Sequence, residues 1–322
     1  MWYLNANDIE AAVDRSILIE KMETAMRLAE TGDIVMPPRT YVEYGDNSLA
    51  LMPCFAESGF STKLVTIFPG NQTGPDPVVN GLVVLNDIRT GVPRAILNGQ
   101  ALTAIRTGAV GAVGVKHLAV FEPHALGLVG AGAQGFEQVL CAAEIRTLTD
   151  VYVHDRDVSK VGDFMTRLKK RLPCVRIRSA AGADEMLAVC RTIVLSTTSS
   201  QPVLPDSEVL LKGKCLIATG SYRPDMQELP RAAFVCAGGM LLDTLDAKSE
   251  SGDIIRPLAQ GWLREEALQT MGQFLLNRKE KEALQGETTI FKSVGMAFFD
   301  LMAAQYIFES ARTRGLGKEI DS

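Results

Sequence analysis

The feature that most constrains the fold is a glycine-rich turn at residues 130–135, GAGAQG, which fits the pattern GxGxxG. The apolar run ALGLV precedes it and the helical segment FEQVLCAAEIR follows it, so the turn lies where a strand passes into a helix. Such glycines allow a tight turn, close approach of a pyrophosphate and close packing of helix on strand, with the helix N-terminus facing the anion. The predicted cofactor-binding residues here are Gly130, Gly132, Ala133, Gln134 and Gly135.

An acidic residue follows at the spacing that dinucleotide-binding proteins use. Asp155 ends the next apolar run and lies 20 positions after residue 135. An acidic side chain there hydrogen-bonds the adenosine ribose, and a 2′-phosphate would face its charge. Asp155 therefore favours NAD(H). Arg156 comes next, and since an arginine at this point accommodates a 2′-phosphate, NADP(H) is the alternative.

The second part of the chain alternates short apolar runs with helical segments. VYVHD, VRIRS, TIVLST and CLIATG read as buried strands. This alternation is typical of a doubly wound parallel sheet, so we predict an α/β Rossmann domain over residues 119–296. Thr197 and Thr198 follow one of these strands, where polar side chains line the ligand crevice of an open sheet. An ordinary polar loop is the alternative for these two threonines.

The first part of the chain reads as a mixed α+β domain over residues 1–118. Asn7 is predicted to cap a short helix, and a longer helix is expected from Asp14 to Thr31, ended by Gly32. Strand-like runs separated by turn residues then predict antiparallel hairpins. An amphipathic helix from about Ser293 to Arg314 is expected to complete this domain through residues 297–322.

Composition excludes several classes of protein. The 33 basic and 38 acidic residues leave a net charge of −5 without a basic run, which argues against a nucleic-acid or anionic-membrane partner. No apolar stretch is long enough to span a membrane, and the N-terminus does not resemble a signal peptide. The six cysteines form no CxxC pair and the three histidines are scattered, which predicts buried reduced thiols, no metal site and a cytoplasmic protein.

Three basic residues lie where an unpaired charge is costly. Arg39 follows two prolines at the start of a strand, Lys63 begins the apolar run KLVTIF, and Arg106 interrupts a helix of small apolar residues. Each needs an anion. An internal Asp or Glu would serve, but together the three favour a pocket for a carboxylate ligand. A buried lysine also suits proton transfer, because its pKa falls readily.

The sequence resembles the ornithine cyclodeaminase and mu-crystallin family over essentially its whole length. The segments that carry the resemblance are MPPR at 36–39, TKLV at 62–65, FPGN at 68–71, ALTAIRT at 101–107, GAGAQG at 130–135, TTSSQPVL at 197–204, GSYRPDMQELP at 220–230, ESGD at 250–253 and FKSVGMAFFDL at 291–301. The resemblance implies a central Rossmann domain and an N-terminal domain that binds substrate and forms a homodimer. It also implies hydride transfer between nicotinamide and the α-carbon of an amino or imino acid.

The resemblance also implies roles for particular residues. Arg39, Lys63 and Arg106 match the positions that hold the substrate carboxylate, and Lys63 is placed to support proton transfer. Asn71 and Tyr222 are further candidates for substrate contact. Thr107 is a candidate for the cofactor phosphates, although a threonine inside a helix equally often bonds its own backbone.

One departure from the family pattern bears on the substrate. Cyclodeaminases of this family place an aspartate where this sequence has Tyr222, and Asp225 lies beyond the following proline. We therefore expect an NAD(P)H-dependent reductase of α-imino carboxylates, such as pyrroline-2-carboxylate or piperideine-2-carboxylate. Ornithine cyclodeamination and alanine-dehydrogenase-like chemistry are the enzymatic alternatives. A non-catalytic, NAD(P)-dependent small-molecule binding protein is the alternative of another class.

Overall fold

The structure is a computed structural model that describes residues 1–32, 34–74, 76–119, 124–277 and 287–321. The chain divides into two compact units. Unit 1 comprises Met1–Arg106 and Met296–Ser322, and unit 2 comprises Thr107–Gly295. Within the described ranges, no helix has the length and apolar character needed to cross a membrane.

The strands are β1 (Trp2–Leu4), β2 (Ile34–Val35), β3 (Thr40–Tyr44), β4 (Asn47–Ala56), β5 (Gly59–Ile67), β6 (Val79–Asn86), β7 (Pro93–Asn98), β8 (His124–Val129), β9 (Leu148–His154), β10 (Arg176–Ser179), β11 (Thr192–Leu195), β12 (Cys215–Ala218), β13 (Met240–Leu242), β14 (Leu268–Thr270), β15 (Thr289–Lys292) and β16 (Lys318–Glu319). The helices are α1 (Ala6–Ala12), α2 (Arg15–Thr31), α3 (Gly99–Leu118), α4 (Ala133–Ile145), α5 (Val158–Arg171), α6 (Ala183–Val189), α7 (Glu208–Leu211), α8 (Arg231–Ala237), α9 (Ala247–Glu250), α10 (Gly252–Ala259), α11 (Met271–Leu276) and α12 (Ala297–Thr313). Short 3-10 helices lie at Pro69–Thr73 and Glu265–Ala267.

Unit 1 is built on a sheet in the order β16-β1-β7-β6-β5-β4-β2, with β3 also paired to β4. The hairpins expected from the sequence are present, since β3, β4, β5, β6 and β7 pair antiparallel in succession. Alternate residues of β4, namely Ala50, Met52 and Cys54, are buried. Helix α12 packs on strands β4, β5 and β6 and on helices α1 and α2, so it lies in the core of unit 1.

Two local predictions in unit 1 need correction. Helix α1 is capped by Asn5 rather than Asn7, because the Asn5 side chain accepts from the backbone of Asp8 while the Asp8 carboxylate accepts from Asn5. Helix α12 begins at Ala297 rather than near Ser293. Most of its residues are buried, because the sheet covers one side and other helices cover the other.

Unit 2 contains a parallel sheet in the order β10-β9-β8-β11-β12-β15-β13-β14. The chain winds outward from β8 through β9 to β10 and then returns to place β11 on the other side of β8, which confirms the doubly wound α/β fold. Strands β11, β12 and β15 are buried along their length, as expected of a sheet with both faces covered. Ligands of such sheets bind at the carboxyl ends of the strands where the order reverses, here between β8 and β11.

The division between the units falls inside helix α3, at 106/107, and not at 118/119 as we expected from the sequence. The cause is close packing by small residues in the second part of the helix. A Cβ at Gly108 would lie 2.6 Å from the Glu137 carbonyl oxygen, and one at Gly114 would lie 2.6 Å from the Phe291 ring. These contacts tie the helix to α4 and β15, so its residues from Thr107 onward belong to unit 2.

Candidate functional site

The centre of the candidate site in unit 1 is a buried group of three charges. Lys63 on β5 and Arg106 on α3 both contact the carboxylate of Asp300 on α12. Lys63 Nζ lies 3.3 Å from each Asp300 oxygen, and Arg106 Nε donates to Oδ1 at 2.9 Å. The side chains of both cations are 5% exposed and that of Asp300 is 1% exposed. Two cations share one anion, so the group carries a net positive charge.

Burial changes the proton affinity of this lysine. Loss of water lowers the pKa of Lys63 to about 8, and the charges of Arg106 and Arg39 act in the same direction. Asp300 opposes them by favouring the ammonium form. Lys63 is thus mostly protonated at pH 7 and able to exchange a proton slightly above it.

Asp300 is the anion that pairs with the two buried cations. The sequence analysis did not identify this residue. The signal was present: Asp300 interrupts the apolar stretch AFFDLMAAQYIF, just as Arg106 interrupts its own helix. A buried charge in such a stretch requires a partner of opposite sign. Pairing the anion that interrupts this apolar stretch with the cations that interrupt the other two apolar segments would have identified the contact.

The other predicted residues of unit 1 lie around this centre in different ways. Arg39 is half-buried immediately before β3, and its charge is close enough to lower the pKa of Lys63. Asn71 lies in the 3-10 helix Pro69–Thr73 and donates through Nδ2 to the Pro77 carbonyl at 3.1 Å. Lys63 and Arg106 therefore both contact Asp300, and Arg39 acts on Lys63 electrostatically. Asn71 instead stabilises the loop in which it lies.

In unit 2, the glycine turn has the geometry that a dinucleotide requires. Gly130 has φ +108°, and a Cβ there would collide with the Ser196 carbonyl. A Cβ at Gly135 would collide with the Gly130 carbonyl, so the third glycine allows the close packing of helix on strand. Gly132 faces open space, with Ala133 exposed and Gln134 half-buried beside it at the start of α4. The free space at the second glycine is where a pyrophosphate approaches the backbone.

The acidic residue predicted to meet the ribose is tied to this turn. Asp155 Oδ2 accepts from the backbone N–H of Ala131 at 2.7 Å, and Oδ1 accepts from that of Asp157 at 2.8 Å. Each carboxylate oxygen has a second lone pair, which leaves room for a ribose hydroxyl. Arg156 beside it is exposed.

Thr107 is buried near the start of unit 2, and its hydroxyl has no hydrogen-bond partner among the described residues. The alternative that it bonds its own helix backbone is therefore not what the structure shows. Its carbonyl accepts from Gln138 Nε2 at 3.0 Å. A buried hydroxyl of this kind fits a polar ligand, and with the open Gly132 it indicates that the residues present fit a dinucleotide.

The loops after β11 and β12 carry the remaining candidates. Thr197 donates through both its backbone N–H and its hydroxyl to Glu228, and Thr198 is exposed next to it. Tyr222 is half-buried against the core of unit 2, following Ser221, whose N–H also donates to Glu228. Glu228 was not singled out in the sequence, although it lies within the segment RPDMQEL.

The fold and these two groups of residues define a class: a protein with a doubly wound dinucleotide-binding unit and a second unit that carries buried cations. A profile of the Ornithine cyclodeaminase/mu-crystallin family matches residues 2–315, and the chain belongs to that family. This confirms the resemblance found in the sequence.

Curated relatives and solved structures match this chain over nearly its full length. The chain is 32% identical over 329 residues to the Δ1-pyrroline-2-carboxylate reductase of Bacillus cereus, covering 100% of both proteins. It is 27% identical to the ketimine reductase mu-crystallin of Rattus norvegicus, covering 96% of each. The structure of Thermococcus litoralis Δ1-pyrroline-2-carboxylate reductase in complex with NADH and L-proline matches with a TM-score of 0.90 and 27% identity, covering 99% of this chain and 100% of that one.

Proposed function

We propose that this protein is an NAD(H)-dependent reductase of α-imino carboxylates that produces L-amino acids. The observation that carries the proposal is the net positive charge of Lys63 and Arg106 around the single carboxylate of Asp300. A buried excess cation calls for a second anion, and the carboxylate of an imino acid supplies one. The relatives named above, which are reductases of pyrroline-2-carboxylate and of ketimines, support the same reaction.

In this proposal Arg106 and Arg39 bind the substrate carboxylate. Arg106 uses Nε for Asp300, and within the described part of the chain its two Nη atoms form no hydrogen bond. The planar guanidinium therefore still presents donors in the geometry that a carboxylate accepts. Asp300 fixes the orientation of that guanidinium, which makes it a positioning residue.

Lys63 serves the proton chemistry. An imine carbon accepts hydride readily only when its nitrogen carries a proton, because the positive charge draws electrons from that carbon. With its pKa lowered to about 8, Lys63 is a donor that can keep the nitrogen protonated near neutral pH. The same side chain accepts a proton when the reaction runs toward the imine.

Unit 2 is proposed to bind the dinucleotide. When bound, NADH supplies the hydride that the substrate carbon receives. Gly130, Gly132 and Gly135 admit the pyrophosphate, with Ala133 and Gln134 at the helix start. Asp155 binds the ribose, Thr107 reaches the phosphates, and Thr197 and Thr198 line the crevice. Arg156 is the residue that NADP(H) would use.

Cyclic ketimines are the favoured substrates. Tyr222 occupies the position where a cyclising enzyme needs a carboxylate to take a proton from the side-chain amine. An unperturbed phenol has a pKa of about 10 and is a poor base at pH 7. Reduction of a preformed cyclic imine needs no such base, so pyrroline-2-carboxylate and piperideine-2-carboxylate fit this chain better than ornithine.

We propose further that the protein is a cytoplasmic homodimer assembled through the outward face of the unit 1 sheet. Phe55 and Phe60 stack there with ring centroids 4.4 Å apart, and Leu82 on β6 is exposed on the same face. Exposed apolar sheet surface of this kind is usually covered in an assembly. Sedimentation at micromolar concentration tests this, and a stable monomer would contradict it.

The experiment that tests the proposed function is a substrate screen with the purified protein. NADH and NADPH are each offered with pyrroline-2-carboxylate, piperideine-2-carboxylate or pyruvate plus ammonium, and NAD with ornithine. Oxidation of NADH by the two cyclic imino acids is the expected result. Turnover confined to pyruvate plus ammonium, or binding of NADH without any turnover, would overturn the proposal in favour of an alanine dehydrogenase or a binding protein.

A further inference from the structure

Unit 2 contains a second buried charge cluster, formed by Glu228, Asp253 and Lys292. The side chains of Glu228 and Lys292 are fully buried, as is that of Asp253. Lys292 Nζ lies 3.2 Å from Asp253 Oδ2 and 3.9 Å from Glu228 Oε2. Two carboxylates thus share one ammonium, an arrangement that is costly to bury unless further hydrogen bonds compensate it.

Glu228 has those bonds, and they come from two different loops. Oε1 accepts from the N–H of Thr197 at 2.7 Å and from its hydroxyl at 2.9 Å. Oε2 accepts from the N–H groups of Gly220 at 2.8 Å and Ser221 at 3.0 Å. One carboxylate therefore joins the loop that follows β11 to the loop that follows β12.

These loops lie against the glycine turn. The strands β8, β11 and β12 are neighbours in the sheet, and each loop leaves its strand at the carboxyl end. A Cβ at Gly130 would lie 3.1 Å from the Thr197 methyl group and would collide with the Ser196 carbonyl. A Cβ at Gly220 would collide with the Thr197 backbone. Displacement of Thr197 would therefore disturb both the glycine turn and the β12 loop.

Asp253 and Lys292 both contact Glu228 and fix its position. Asp253 Oδ1 accepts from the backbone N–H groups of Glu228 at 2.8 Å and Leu229 at 2.9 Å. Burial raises the pKa of Glu228, Lys292 opposes that rise, and Asp253 adds to it. Four donors occupy the Glu228 carboxylate, so the geometry accommodates its ionised form.

We propose that Glu228 is a positioning residue for the dinucleotide: its carboxylate fixes Thr197 and Gly220 beside the glycine turn and thereby sets the affinity for NADH. The proposal rests on the dinucleotide binding proposed for unit 2. Because Glu228 is fully buried, it acts through the loops that it holds, and the expected effect is on cofactor binding rather than on the chemical step.

The test is Glu228→Gln in the full-length protein, with NADH affinity measured by fluorescence titration. Whichever way the amide turns, one of the two loops meets an NH₂ group instead of an acceptor. We expect NADH to bind at least about tenfold more weakly, because buried donors are left unsatisfied. The kcat at saturating NADH and the KM for the imino acid should stay within about threefold of their original values.

Lys214→Met is the matched control. Lys214 is also buried and donates to two backbone carbonyls, those of Leu187 and Cys190, but it lies at the amino end of β12. This variant should lower the thermal unfolding midpoint while leaving NADH affinity within about twofold. An equal loss of NADH affinity in both variants would show a merely structural role and would overturn the proposal.

Unchanged NADH affinity in a folded Glu228→Gln protein would also overturn it. If that variant does not fold, Asp253→Asn is the second test. The amide oxygen still accepts from the backbone N–H groups of Glu228 and Leu229, and only the atom that faces Lys292 changes. Weaker NADH binding by about threefold is then expected, and unchanged binding contradicts the proposal. A protein that binds NADH but reduces no imino acid would refute the proposed function alone, since the affinity comparison does not depend on turnover.

Discussion

Lys63 and Asp300 form a buried ion pair in which the ammonium nitrogen lies 3.3 Å from both oxygens of the carboxylate. Asp300 favours the protonated lysine, whereas burial, Arg106 and Arg39 favour the neutral one. The balance leaves the pKa of Lys63 at about 8, close to neutral pH. The proton affinity of the proposed donor thus depends on a residue that lies on α12, near the end of the chain.

The first prediction concerns pH. Lys63 donates a proton only while it is an ammonium, so kcat/KM for imine reduction should fall as pH rises through about 8. Oxidation of the amino acid needs the neutral amine and should rise over the same range. Measuring both directions between pH 6 and 10 checks this, and parallel profiles for the two directions would contradict it.

The second prediction follows from the ion pair itself. Asp300→Asn removes the charge that favours the ammonium, so the pKa of Lys63 falls further and the alkaline limb of the reduction profile should move to lower pH. Asp14→Asn is the control, because Asp14 caps α2 in the same unit and asparagine caps equally well. If the alkaline limb stays near pH 8 in Asp300→Asn, the titration of Lys63 does not cause it.

The third prediction concerns Arg106. Arg106→Ala should lower kcat/KM by about a hundredfold, since breaking a buried charge-assisted contact costs on the order of 3 kcal/mol. NADH affinity, measured by titration, should remain nearly unchanged. Arg106→Lys keeps the positive charge but lacks the planar guanidinium. Its kcat/KM should lie between that of the original protein and that of Arg106→Ala. Loss of NADH binding together with activity would assign Arg106 to the cofactor or to the fold.

Much of the fold followed from local sequence signals. The strand-turn-helix around Gly130 and the alternation after it predicted the doubly wound sheet, and turn residues between apolar runs predicted the hairpins of unit 1. The cap at Asn5 and the start of α12 were misplaced, because neighbouring residues carry nearly the same local signal. The unit boundary inside α3 depends on packing at Gly108 and Gly114, which local pattern does not encode.

The fourth prediction concerns cofactor choice. Asp155 should give at least a tenfold preference for NADH over NADPH in kcat/KM, because placing a 2′-phosphate against a carboxylate costs more than about 1.4 kcal/mol. Asp155→Ser should reduce that preference while Arg156 stays in place. A wild-type preference for NADPH would instead make Arg156 the ligand of the 2′-phosphate.

The residues of the candidate site were predictable where a charged side chain interrupts an apolar segment of the sequence. Lys63 and Arg106 were identified because cations interrupt apolar segments. Asp300 carries the same signal with opposite sign, but its partners Arg106 and Lys63 lie 194 and 237 residues away in sequence. Glu228 and Asp253 lie in polar segments, and only the tertiary structure shows that they are buried beside Lys292.

The most direct test of the central claim is to incubate the protein with pyrroline-2-carboxylate and NADH and to quantify L-proline. The account predicts one L-proline for each NADH oxidised, at about one turnover per second or more. Lys63→Met should lose this activity while still binding NADH. With ornithine and NAD in place of these substrates, no appreciable proline should form, because this chain has Tyr222 at the position where a cyclising enzyme has a carboxylate. Proline from ornithine at a comparable rate, or no L-proline from the cyclic imine while NADH binds normally, would contradict the account.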